Sequence, residues 1–352
     1  MTVNKKTVGI IFGGKSAEHE VSLQSAKNVY DAIDRGRFDP VLIGIDKNGV
    51  WRSTGDSLSL LNSNDPSSIS LNAEGDPVTL EPASGGLLST RAGSGPRLDV
   101  IFPILHGPLG EDGTVQGLLK LAGVPFVGSG VLGSAVGMDK DVMKRLFRDA
   151  GLPIGKFLTF RSHEKLPSFA ETESALGCPV FVKPANMGSS VGINKVKNEA
   201  EFARAVKEAF QYDVKIIIEE FIPGREIECA VLGNENPIAS VPGEIIPTHE
   251  FYSYDAKYID GNGARLEIPA ILDGDCQKRI QALAIKAFQT LCCGGLSRVD
   301  FFLKENGEAL LNEINTMPGF TKISMYPKLW EASGIGYTEL ISRLIELALK
   351  NV

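Results

Sequence analysis

No stretch of this chain is apolar for long enough to span a bilayer, which takes about 20 such residues in a helix. The apolar run in MTVNKKTVGIIFGG stops at Gly13-Gly14. That is too short for the hydrophobic region of a signal peptide, so Val8 to Phe12 reads as a first buried strand. The chain also lacks any run of Lys or Arg, and its formal net charge is −7. Nucleic-acid and membrane-surface binding need a basic footprint, so neither kind of partner is expected. Cysteines are few and odd in number: Cys178, Cys229, Cys276, Cys292 and Cys293. They show no metal-ligand spacing and read as free thiols of a reducing cytoplasm. There is no internal repeat and no standard P-loop or Rossmann spacing.

What is present is an ordinary globular composition over 352 residues, enough for two or three domains. Val8 to Phe12, a Gly-Gly turn, and a helical stripe at Ala26, Val29, Tyr30 and Ile33 form a strand–helix unit. Val41 to Ile45 is the next strand. From Gly55 to Pro96 the chain is rich in Ser, Asn, Gly and Pro and reads as surface loops with minor strands. DVIFPILHG and GVPFVGSG follow as strands, and Met143, Leu146, Phe147 and Ala150 mark a helix ending near Gly151. Strands alternating with helices predict a parallel α/β domain. The middle of the chain runs strand, glycine loop, strand, helix, strand, an α+β pattern. The C-terminal part carries a helix over 276–291, a hairpin over 297–316 and a helical stripe at Leu340, Ile341, Leu344, Ile345 and Ala348.

The hairpin SRVDFFLKENGEALLNEINT carries the most chemistry. Asn306-Gly307 is the signature of a two-residue type I′ turn. That turn pairs Glu305 with Glu308, Asp300 with Glu313 and Arg298 with Asn315. Strand side chains alternate, so these four polar groups share one face while Val299, Phe301, Leu303, Leu310 and Ile314 share the other. Asn312 is the polar exception on the apolar face. Opposed carboxylates repel, so a positive group belongs between Asp300 and Glu313. Two carboxylates and an amide oxygen suit Mg²⁺. Arg298 beside them suits a developing negative charge.

Other polar clusters are weaker alone. Lys183 and the Gly188-Ser189-Ser190 loop suit phosphate, although alone they read better as an ordinary hairpin turn. Glu219, Glu220 and Glu226 suit an adenine amino group or ribose hydroxyls, or a solvated strand end. His106, in HGPLGEDGT, lies in a loop at the carboxyl end of a strand, where α/β proteins bind ligands. Glu18, in GGKSAEHEVS, sits at a helix start, where a carboxylate also complements the helix dipole.

Together these segments resemble the D-alanine–D-alanine ligases of the ATP-grasp superfamily. GGKSAEHEVS, LHGPLGEDGTVQG, VPFVGSG, MDK, FVKPANMGSSVG, FYSYDAKY, RVDFF and NEINTMPGF run in the family's order over nearly the whole chain. The resemblance implies a three-domain fold: an N-terminal α/β domain over 1–136, a central ATP-grasp subdomain over 137–222, and a C-terminal one over 223–352. A lid at about 245–268 would cover the site. ATP and two Mg²⁺, with Mn²⁺ as an alternative, are the implied cofactors, and Asp300, Glu313 and Asn315 the metal ligands. Lys140 and Lys183, with Lys257 on the lid, would meet the phosphates. Glu219, Glu220, Ile222, Glu226 and Phe302 would line the nucleotide site. Glu220 stands where many relatives have lysine. Glu18 would meet the first D-alanine's ammonium and Ser324 the second's carboxylate. Ser189 and Tyr258 would complete a hydrogen-bonded set with Glu18. Arg298 and the Gly319 N–H would stabilise the oxyanion. Tyr258 favours D-alanyl-D-alanine over D-alanyl-D-lactate as product. The family further implies a cytoplasmic homodimer.

Overall fold

The computed structural model describes residues 5–53, 61, 69–72, 75–91, 93–247, 264–321 and 323–350. The first sheet is built from β1 (Lys6–Gly13), β2 (Phe38–Ile45), β3 (Trp51–Ser53), β4 (Asp76–Leu80), β5 (Leu87–Thr90), β6 (Gly93–Arg97) and β7 (Val100–Ile104). Its order is β6-β5-β4-β3-β2-β1-β7. The expected parallel unit is there: β1 pairs in parallel with β2 and β7, and α1 (His19–Ala32) crosses between β1 and β2. Residues 76–97 are more than surface loops with minor strands. They extend the sheet as antiparallel strands and bury Val78, Leu80 and Leu88. GVPFVGSG, expected as a strand, contributes only a single parallel bridge, Phe126 to Ile101.

Three helices follow: α2 (Thr114–Ala122), α3 (Val131–Met138) and α4 (Lys140–Asp149). Asp139 caps α4 by accepting from the N–H groups of Asp141 and Val142, which satisfies two of the helix's orphan donors. A four-stranded antiparallel sheet comes next, made of β8 (Phe157–Arg161), β9 (Val180–Pro184), β10 (Asn194–Val196) and β11 (Lys215–Glu220). Its order is β10-β9-β11-β8. Helices α5 (Phe169–Leu176) and α6 (Glu199–Tyr212) cover one face, burying Phe202, Ala205 and Ala209 against Val180, Val182, Ile216 and Ile218.

The third sheet holds β12 (Arg225–Gly233), β13 (Ile238–Ala239), β14 (Gly243–Pro247), β15 (Ala264–Glu267), β16 (Gly295–Leu303) and β17 (Ala309–Asn315). The path is β15-β14-β12-β16-β17, with β13 beside β12. Helix α7 (Gly274–Thr290) packs Ile280, Ala284, Ala287 and Phe288 on Val299, Phe301 and Ile314. Each large apolar side chain so buried contributes about 1.5–3 kcal/mol. Two helices end the described chain, α8 (Met325–Ala332) and α9 (Tyr337–Lys350). The apolar stripe of α9, Leu340, Ile341, Leu344, Ile345 and Ala348, shares one core with Val8, Ile10 and Phe102 of the first sheet.

The β16–β17 hairpin corrects one expectation. Lys304 N–H donates to the Glu308 carbonyl and Gly307 N–H to the Lys304 carbonyl, each at 2.9 Å. The loop is therefore three residues long, with Gly307 at φ 81°. Type I′ needs positive φ at both central residues, and Asn306 does not have it. Near the turn, Phe301 pairs with Leu311, Phe302 with Leu310 and Leu303 with Ala309. A bulge at Asn312 then adds one residue to β17, and beyond it Asp300 faces Glu313 and Arg298 faces Asn315 as expected. Leu310 consequently sits opposite Phe302 rather than in the α7 core, where Ala309 and Leu311 take its place.

Candidate active site

A cavity of about 560 Å³ lies where the three sheets meet. The hairpin supplies its floor. Arg298, Asp300, Glu313 and Asn315 all line it, with the bulged Asn312 beside them. Arg298 donates twice to Asp300, from Nε at 2.8 Å and Nη2 at 2.7 Å. Its Nε also lies 2.9 Å from Glu228 on β12, the strand neighbour of Asp300. Burial works against the guanidinium's charge, but Asp300 and Glu228 outweigh it and hold its pKa well above the ordinary arginine value. Glu228 carries no motif and was not singled out from the sequence. Its one signal was alternation, two residues after Glu226 on the same strand face.

Glu313 is balanced from another side by Lys140, 3.6 Å away. Lys140 is the first residue of α4, and its Nζ donates to the Met187 carbonyl at 2.8 Å. It thereby ties the helix start to the glycine loop. In that loop Ser189 and Ser190 both have positive φ, 51° and 61°. Such backbone is costly for a side-chain-bearing residue and is held where the surroundings over-determine it. Here the Ser189 hydroxyl donates to Glu18 Oε1 in a short hydrogen bond. Glu18 is the residue before α1, yet its side chain makes no capping bond. The carboxylate is committed to the cavity and the loop, not to the helix end.

The opposite wall is formed by Gly319, Thr321 and Ser324. Ser324 Oγ accepts from the Thr321 N–H at 3.0 Å and lies 2.7 Å from the Thr321 hydroxyl. A Cβ at position 319 would come 2.9 Å from Ser324 Oγ, so a side chain there would make the serine hydroxyl shift. His106 is buried behind Glu18, its Nδ1 donating to the Met317 carbonyl at 3.1 Å. Burial disfavours its charged form, but Glu111, 3.5 Å away, and Glu18 outweigh this and raise its pKa.

Glu226 and Phe302 line the cavity as neighbours across β12 and β16. Lys183, Glu219, Glu220 and Ile222 do not line it. Lys183 and Glu219 form a buried ion pair just beyond, and Lys144 on α4 joins it at 2.9 Å from Glu219. Burial raises the Glu219 pKa, but the two lysines overcome it and hold the carboxyl at about 2. Burial of Lys183 is likewise outweighed, by Glu219 and Glu313, which raise its pKa. Lys144 goes the other way: burial lowers its pKa despite Glu219, with Lys183 adding repulsion. Lys144 was missed in the sequence, although it lies one helical turn beyond Lys140. Glu220 spends its side chain on the Lys156 N–H at 2.7 Å and its own N–H on the Lys156 carbonyl at 3.1 Å. Ile222 packs on Gly155. Tyr258, Lys257 and residues 248–263 of the expected lid lie outside the described residues; the flanking strands β14 and β15 pair antiparallel.

Among the described residues no three His, Cys, Asp or Glu side chains converge on a metal site. The expected donor set is different: two directly opposed carboxylates and one amide oxygen on a shared cavity wall. These are the oxygen donors that a hard cation takes, so the residues fit the ion.

Two antiparallel sheet layers, a glycine loop, buried lysines and an opposed carboxylate pair define an ATP-grasp enzyme. Comparison with known proteins makes this specific. Residues 7–129 match the family model described as D-ala D-ala ligase N-terminus, and residues 146–346 match D-ala D-ala ligase C-terminus. The chain is 57% identical to the D-alanine–D-alanine ligase of Oceanobacillus iheyensis over 98% of its own length and 96% of the relative's. It is 58% identical to D-alanine–D-alanine ligase A of Salmonella typhimurium, over the same shares. Among solved structures, the D-alanine-D-alanine ligase from Coxiella burnetii superposes with a TM-score of 0.88 at 38% identity, over 99% of this chain and 95% of that one. VanG D-Ala:D-Ser ligase from Enterococcus faecalis gives the same TM-score and identity, over 98% of this chain and 100% of that one. The chain belongs to the D-alanine–D-alanine ligase family, whose members are ATP-dependent ligases that use a divalent metal ion.

Proposed function

We propose that this protein joins two D-alanines to D-alanyl-D-alanine at the expense of ATP, for the peptidoglycan precursor. The observation that carries the reading is one cavity lined both by the Asp300–Glu313 pair with Arg298 and by the Glu18–Ser189 bond.

In the first step the carboxylate of one D-alanine attacks the γ-phosphorus of ATP. ADP leaves and D-alanyl phosphate forms. Lys140 and Lys183, with Lys257, orient the phosphates and balance their charge, the main work of phosphoryl transfer. Asp300, Glu313 and Asn315 would hold two Mg²⁺ ions, or Mn²⁺, whose chemistry is to neutralise phosphate charge beside these carboxylates. Glu18 holds the ammonium of the first substrate. In the second step the amine of the second D-alanine attacks the acyl carbon and inorganic phosphate leaves. Ser324 orients the second carboxylate. Arg298 and the Gly319 N–H face the oxyanion of the tetrahedral intermediate. Glu219, Glu220, Ile222, Glu226 and Phe302 hold the nucleoside. Tyr258, with Ser189 and Glu18, favours the dipeptide product, under a lid over about 245–268 that keeps water from the acyl phosphate.

Domains over 1–136, 137–222 and 223–352, a homodimer and a cytoplasmic location belong to the same reading. No described helix is long and apolar enough to cross a membrane.

The test is phosphate release from ATP and Mg²⁺, with D-alanine, L-alanine, or D-alanine plus D-lactate or D-serine, and products identified by mass. D-alanine-dependent release with D-alanyl-D-alanine as product is expected. A depsipeptide product would overturn the reading of Tyr258. Absence of D-alanine-dependent release would overturn the activity.

A further inference from the structure

Helix α4 carries two lysines one turn apart, on the same face. Lys140 reaches the glycine loop and Glu313. Lys144 reaches Glu219, and its side chain is only 4% exposed. Glu219 accepts a short hydrogen bond from Lys183 on one oxygen. The other oxygen, Oε1, is buried with Lys144 Nζ at 2.9 Å. The site thus holds one carboxylate between two ammonium groups.

The two lysines are not equivalent. Lys183 sits on β9, adjoining the glycine loop and within the field of Glu313. It is placed to turn towards phosphate. Lys144 is enclosed and has Glu219 as its partner. When Lys183 engages phosphate, Lys144 alone keeps a buried carboxylate charged, since burial favours protonation. A charged carboxylate accepts from the amino group of adenine and repels the carbonyl oxygen that guanine presents at the same position. A protonated carboxyl accommodates both.

We infer that Lys144 is a specificity-determining positioning residue, which holds Glu219 as an acceptor for the adenine amino group and so sets the preference for ATP over GTP. This rests on the reading of Glu219 as a base-contacting residue and deepens it.

The experiment compares the full-length protein with its K144M, K144Q, K144R and E219Q variants. D-alanine-dependent phosphate release is measured with ATP and with GTP. K144M is expected to raise the KM for ATP about tenfold, the scale of one hydrogen bond to a charged group, with kcat little changed. The ATP/GTP ratio of kcat/KM falls by a similar factor, and K144R restores it. K144Q reports the same loss should K144M fail to fold, as judged by circular dichroism. An unchanged ratio in K144M or K144Q, with a reduced ratio in E219Q, would overturn the role of Lys144. A loss of kcat alone would do the same, since a merely structural lysine gives that result. An unchanged ratio in E219Q would instead remove the reading of Glu219, and this inference with it.

Discussion

Lowering the pH should release a defined part of this protein's stability through Glu219. Its carboxyl is held at about 2 in the fold, against an ordinary 4.5. A depressed folded value means that the stabilisation is fully present above pH 4.5 and is lost as the pH falls through 2. The difference of 2.5 units corresponds to about 3 kcal/mol, at about 1.4 kcal/mol per unit. The assay is urea unfolding at several pH values between 7 and 2, on the wild type and on Glu219→Gln. The amide cannot titrate, so the pH-dependent part of the difference isolates this group from the other carboxylates. Glu219→Gln should be the less stable at pH 6, because it leaves Lys144 and Lys183 without their counter-charge. That deficit should shrink through the window by most of the 3 kcal/mol. A deficit that stays constant from pH 6 to pH 2 would refute the ion-pair account.

Asp300→Asn and Glu313→Gln should each abolish turnover while far-ultraviolet circular dichroism stays unchanged; normal phosphate release by either would remove it from the proposed metal set. Gly319→Ala places a Cβ 2.9 Å from Ser324 Oγ, and the displaced serine should cost about 100-fold in kcat/KM for D-alanine, as misplaced positioning groups do. Wild-type kinetics in Gly319→Ala would show that the serine's position is not what the glycine protects.

Much of the site was legible because strand alternation and motif order are local properties. Arg298, Asp300, Glu313 and Asn315 share a face as the sequence implies, but by two offsetting displacements. The turn takes three residues, with Lys304 and Glu308 closing it as an ion pair at 3.0 Å, and the bulge at Asn312 restores the register. A polar residue on an apolar face was the visible trace of that bulge. Lys144 and Glu228 went unread because a lysine in a helix and a glutamate in a strand look solvated until tertiary packing buries them. The strands over 76–97 were hard to see for the opposite reason. Their Ser, Gly and Pro content resembles loops, and the pairing of β4 to β3, then of β5 and β6 in succession, is what orders them.

The shared core of α9 and β1 has a consequence for how the protein is made. Val8 and Leu340 belong to the same core, with nearly the whole chain between them. Domains generally fold as units during synthesis, N-terminal part first. Here α1 can cover part of that face of the first sheet early, and the rest waits until the ribosome has delivered the segment from Tyr337 onward. The nascent chain therefore carries an incompletely covered apolar face for much of its translation. Folding of the first sheet becomes a late, long-range closure, slowed by the entropy of so large a loop.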